Sequence, residues 1–210
     1  MGARVAYRTT SDFCLNIIAG IPSEEILIKE KLSKYEKEDA DEISKDKMSR
    51  WYIEYERSPN HWIKRLIPDL HKWINRKNGN PDFYISQFLS GHGAFGDYLF
   101  RFKKRDNPFC PFCKNIKDTP EHTFFNCQEM KQQKEDLEKT LGKGITPDNV
   151  MEIMLESTNN WNKVHNYIRN ALILKQKHLQ EEPKEEASTN PSSSLEDIPL
   201  HGDSEDAKKT

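Results

Sequence analysis

The run CPFCKNIKDTPEHTFFNC, from Cys110 to Cys127, holds three of the chain's four cysteines. Its spacing, Cys110-x2-Cys113-x8-His122-x4-Cys127, constrains the fold more than any other feature. A C-x-x-C turn brings two thiolates to one ion, and a histidine and a third thiolate close a tetrahedron across a short loop. The expected ligands are therefore Cys110, Cys113, His122 and Cys127, and the expected cofactor is Zn(II). Thr119-Pro120-Glu121-His122 reads as a cap and first helical turn that would present His122 from a helix start. A catalytic zinc keeps one position open for water, whereas this set fills all four. No catalytic residue is expected, and the chain does not read as an enzyme. Reduced cysteines in a packed turn are the competing reading, which leaves the histidine and the closeness of all four residues unexplained.

The rest of the chain reads as helices with little core. Hydrophobic residues make up 35% and charged residues 31% of 210, which favours a small interior and solvated helices. No apolar run approaches the roughly 20 residues of a membrane span. The first twenty residues lack the apolar core of a signal peptide. No membrane contact and an intracellular, nuclear or cytoplasmic location are expected, where thiols stay reduced and serve as metal ligands. Cys14, among apolar neighbours, reads as a small buried residue.

Punctuation along the chain gives the elements. Thr10, Ser11 or Asp12 caps a short helix through Ile18, stopped by Gly20 and Pro22. Ser23 caps the next, with Glu24 and Glu25 in its first turn. Residues 36–47 are nearly all charged and read as a solvated helix. Pro59, Pro68 and Gly79-Asn80-Pro81 break the chain further on. The stretch DFYISQFLSGHGAFGDYLFRF is the densest apolar region, with Gly91, Gly93 and Gly96 at a sharp turn between helices. Helices are then expected over 128–141, from Thr146, and around Trp161 to Leu172. The fold class is mainly α: a small helical domain with an embedded single-zinc knuckle and a disordered acidic C-terminal tail. Residues 1–58 form a helical connector, 59–180 the domain with the knuckle at 107–128, and 181–210 the tail.

The near-neutral net charge of -2 conceals a division. Between His61 and Lys117 there are eleven basic and four acidic residues, whereas from Glu181 onward there are nine acidic and three basic. A basic surface attracts phosphate backbones. The candidates for nucleic-acid contact are Lys64, Arg65, Arg76, Lys77, Arg101, Lys103, Lys104 and Arg105, with RNA or DNA as partner. Phe109 or Phe112 is available to stack on bases or to pack beside the metal. An ordinary solvated face is the alternative, and a protein-interaction scaffold using the acidic tail is the competing function. His92 either supports the metal site or packs in its glycine-rich turn.

The phrases FLSGHGAFGDYLFRF and CPFCKNIKDTPEHTFFNC, with AYRTTSDFCLNIIAGIPSEEILIKE upstream, resemble the C-terminal end of the reverse-transcriptase polyprotein of insect non-LTR (LINE-type) retrotransposons. The resemblance covers residues 5–174. It implies that Cys110, Cys113, His122 and Cys127 are the family's zinc ligands, and that residues 1–58 correspond to the end of the polymerase thumb. The polymerase's paired aspartates have no counterpart, because the sequence contains no Asp-Asp pair. The resemblance therefore implies a nucleic-acid-binding piece of an enzyme without its polymerase or endonuclease centres, or a non-functional copy of an element.

Overall fold

The computed structural model describes residues 10–181. The acidic stretch from residue 182, for which disorder is expected, lies outside them, as do residues 1–9. Ten α-helices dominate the described chain: α1 (Asp12–Ala19), α2 (Glu24–Tyr35), α3 (Ala40–Arg57), α4 (His61–Leu66), α5 (Leu70–Ile74), α6 (Phe83–Ser90), α7 (Gly96–Arg101), α8 (Lys131–Leu141), α9 (Val150–Glu156) and α10 (Thr158–Glu181). Among the described residues there is no strand, only an isolated antiparallel bridge between Phe109 and Lys117. None of these helices is long and apolar enough to cross a membrane.

Local chemistry sets the boundaries. Ser11 Oγ accepts the Cys14 N–H at 3.3 Å, and Gly20, at φ 70°, ends α1 in the left-handed region. Ser23 precedes α2, yet its side chain makes no capping hydrogen bond. The solvated helix expected over 36–47 is present only from Ala40, and residues 36–39 link α2 to α3 instead. Lys37 turns left-handed at φ 59°, and Asp39 Oδ1 then accepts from Asp41 N and Glu42 N to start α3. The charged stretch is therefore a turn plus a fresh N-cap, and α2 and α3 fold back as a hairpin. Ile26, Trp51 and Tyr55 attach that hairpin to the interior. Glu30 Oε1 ties its helices together, accepting from Lys34 and Lys47 at 2.7 and 3.3 Å. The helix expected from Thr146 begins one turn later, at Val150, whose N–H returns to the Thr146 carbonyl at 3.0 Å.

One contiguous set of buried side chains runs from Cys14 to Leu172, so the hairpin, the central helices and the C-terminal helix share a core. Its centre is α6, where Ile85, Phe88 and Leu89 are fully buried. Helix α10 lies across α6, α8 and α9 with Trp161, Val164, Ile168, Ala171 and Leu172 inward. That period of three and four residues is what buries one face of a long helix. The Trp73 indole donates to the Ile17 carbonyl at 2.6 Å, and the Tyr55 hydroxyl donates to the Ile67 carbonyl, so buried polar tips are satisfied.

Candidate metal centre

The cluster is assembled by two short devices. The first is a turn closed by the Phe109–Lys117 bridge, with Cys110 N donating to Ile116 O at 2.8 Å and Asp118 N to Pro108 O at 2.9 Å. Inside it Lys114 N returns to Cys110 O at 2.8 Å, which folds Cys110 and Cys113 to the same side. The second begins at Thr119, whose Oγ1 accepts the His122 N–H at 3.1 Å, with Pro120 behind it. The expected cap and first turn are both present. The helix then widens into a π-helical turn over His122–Asn126. A π turn bonds i to i+5 rather than i+4, and Cys127 follows it directly in extended backbone, five residues after His122.

Together these place the Cys110, Cys113, His122 and Cys127 donor atoms within 4.8 Å of one another. Cys127 Sγ lies 3.8 Å from Cys110 Sγ and 3.7 Å from Cys113 Sγ, and no disulfide forms. Cys110, His122 and Cys127 are buried, and Cys113 is half-buried. The sulfur contact pulls the Cys110 thiol down to about 5, chiefly through the hydrogen bond from Cys127, while that same bond and burial push Cys127 up. The Cys110–Cys127 pair thus gives up one proton readily and holds the other, unless a cation joins the two sulfurs. His122 Nε2 is buried with no hydrogen-bond partner, a costly state for a ring nitrogen. A metal ion bonded to Nε2 removes that cost. Four such donors can hold a single metal ion and leave it no open position.

Phe124, from the π turn, seats the cluster on the core. Its ring meets Phe88 edge-on at 5.0 Å and Phe95 at 5.9 Å. Beside it lies a polar knot that sequence reasoning missed. The Lys175 ammonium, from α10, is 1% exposed and donates to Asp118 Oδ1 and, at 2.9 Å, to Thr123 Oγ1. Asp118 also accepts from Thr123 Oγ1 at 3.0 Å and from Gly96 N at 2.7 Å. Burial pushes the Lys175 ammonium down, and Asp118 together with the Cys110 and Cys127 sulfurs opposes that shift. One signal was available: Val164, Ile168, Ala171 and Lys175 continue a single buried stripe, so the lysine had to find an anion.

The basic candidates part company. Arg65 is held by Asp148 through two bonds of 2.7 and 2.9 Å and by Glu121 at 2.8 Å. Arg76 turns inward, 4.1 Å over the Trp73 ring, and donates to the Trp73 and Gly79 carbonyls. Lys64 donates to the Glu56 carbonyl at 2.8 Å. Lys77, Arg101, Lys103 and Lys104 are exposed, and Arg105 is half-buried with Nη1 on the Phe109 carbonyl at 2.8 Å. Phe112 packs against His178 at 5.0 Å, while Phe109 faces solvent. His92 does not reach the cluster; its Nδ1 meets Thr10 Oγ1 at 3.1 Å and its ring stacks on Tyr98 at 4.9 Å. Cys14 is buried, which raises its thiol to about 11. No family model, no curated protein and no solved structure matches the chain.

Proposed function

We propose that this chain is a non-catalytic nucleic-acid-binding module built around a structural zinc ion, descended from the C-terminal region of a LINE-type reverse transcriptase. The observation that carries the metal is the sulfur spacing. Zn–S bonds of about 2.3 Å at tetrahedral angles separate sulfurs by about 3.8 Å, and the two observed separations are 3.8 and 3.7 Å. Zinc bound here exposes no coordination site, so its chemistry is to fix shape. The reduced cysteines agree with a location inside the cell.

The nucleic-acid reading rests on the rim of that centre. Residues 101–117 carry six basic and one acidic residue. Asp97, the neighbouring acid, is already occupied by Lys117 at 3.0 Å and Arg101 at 3.6 Å. Lys103, Lys104 and Lys114 stand exposed in the same stretch, open to solvent and to phosphates. Fluorescence anisotropy with RNA and DNA oligonucleotides over a salt series tests this. Affinity should fall steeply with salt, and Lys103→Ala with Lys104→Ala should flatten the slope by about 1.4 on single strands. Removing residues 182–210, which hold eight acidic and three basic residues, should tighten binding by removing a tethered competitor.

A second reading, a protein-docking scaffold, is favoured by Ile28, Leu32 and Tyr35, which stand exposed on α2 at spacings of four and three. Absence of oligonucleotide binding at low salt, with and without the tail, would select it.

A further inference from the structure

A column of rings runs out of the core at α7. His92, fixed by Thr10, stacks on Tyr98 with centroids 4.9 Å apart and an interplanar angle of 28°. Tyr98 meets Phe102 at 4.8 Å, tilted by 45°. Phe102, the outermost ring, is 43% exposed, and Phe100 and Phe109 are 45% and 41% exposed. Such half-covered rings are held in place by what lies beneath them and offer the remainder to solvent.

These rings share a surface with exposed cations. The Phe109 backbone pairs with Lys117, Lys117 shares Asp97 with Arg101, and Arg101 lies between Phe100 and Phe102 in the chain. Lys103 comes directly after Phe102 and holds a left-handed backbone at φ 52°, and Lys114 does so at φ 56°. A non-glycine residue in that region costs roughly 1 kcal/mol or more.

Resting on the nucleic-acid reading above, we propose that the ligand is a single strand, its bases stacking on Phe102 and Phe109 while Arg101, Lys103, Lys104 and Lys117 meet its phosphates. A duplex hides its base faces and gives the rings nothing to stack on, whereas an unpaired base extends the His92–Tyr98–Phe102 column by one member.

The test uses the full chain loaded with zinc and four fluorescent or competing probes of matched total charge: a single-stranded oligoribonucleotide, a duplex of half its length, an abasic strand, and poly-glutamate, with anionic phosphatidylserine vesicles as a fifth. The single strand should bind best. Phe102→Leu and Phe109→Leu, which keep apolar volume and remove the ring, should each lose on the order of tenfold for that strand and little for the abasic one. Zinc content and circular dichroism of each variant verify folding, and Phe83→Leu, an exposed ring on α6, serves as the control without loss. Equal affinity for single strand, duplex and abasic strand, insensitive to both ring substitutions, overturns the stacking proposal and leaves the nucleic-acid reading standing. Tighter binding to poly-glutamate or vesicles overturns it in favour of an acidic protein or a lipid surface. No binding to any nucleic acid removes both readings together.

Discussion

Replacing Lys175 by Met should be among the most damaging single changes outside the metal ligands. The wild-type ammonium is 1% exposed and faces Asp118, whose side chain is equally buried. Without it the Asp118 carboxylate still accepts from the Gly96 N–H and the Thr123 hydroxyl but loses its buried ammonium partner. It then stands as a buried carboxylate without that cation, next to the cysteine cluster. Removing one member of a buried pair costs about 3–5 kcal/mol. Each kcal/mol shifts the melting temperature of a chain this size by about 2–4 °C, so a fall of roughly 6–20 °C is expected. Asp118→Asn in the same background removes the stranded charge and keeps an acceptor for Gly96, so the double variant should recover much of the loss. Urea unfolding of the zinc-loaded single and double variants, monitored by circular dichroism, completes the cycle. A Lys175→Met loss below about 1 kcal/mol, or single losses that simply add, refutes the idea that this pair clamps the knuckle to α10.

The geometry sets two further outcomes. Cys14 has its thiol raised from 9.0 to about 11 by burial. The folded state therefore holds that proton more tightly than the unfolded state, and stability is lost as pH climbs from 9 through 11. The share due to Cys14 is roughly 2–3 kcal/mol, and Cys14→Ala should remove that part of the slope in alkaline urea titrations; an identical slope refutes it. Gly79 has φ +78°, and a Cβ there would stand 1.9 Å from the Trp161 ring; Gly79→Ala should destabilise by about 2–4 kcal/mol in the same unfolding assay, and a loss under about 0.5 kcal/mol would show that α10 yields easily.

What the sequence made legible depended on how local each interaction is. The quartet from Cys110 to Cys127 could be read because its four donors lie within eighteen residues, so their spacing alone brings them together. The caps at Ser11 and Thr119 and the stops at Gly20 and Gly91 were legible for the same reason: each is settled within four residues. The break at Lys37 was not, because a run of charges carries no apolar period to interrupt, and the only local sign was Asp39 ahead of Ala40-Asp41-Glu42. Arg76 and Arg65 show a different limit. Composition counts a guanidinium as surface charge, while the fold turns Arg76 onto Trp73 and closes Arg65 on Asp148 and Glu121, 83 and 56 residues away. The Asp118–Lys175 pair spans 57 residues, and only the lysine's place on the buried stripe of α10 hinted at it. The widening to a π turn after Glu121 left no trace beyond the five-residue step from His122 to Cys127.

If the proposed function holds, Cys110, Cys113, His122 and Cys127 bind one zinc ion with no position to spare. X-ray absorption at the zinc edge of the purified full chain, with metal content measured on the same sample, tests it most directly. One zinc per chain is expected, with three sulfurs at about 2.3 Å and one nitrogen at about 2.0 Å. A folded protein free of metal, or a zinc shell that includes a water oxygen or fewer than three sulfurs, would contradict it.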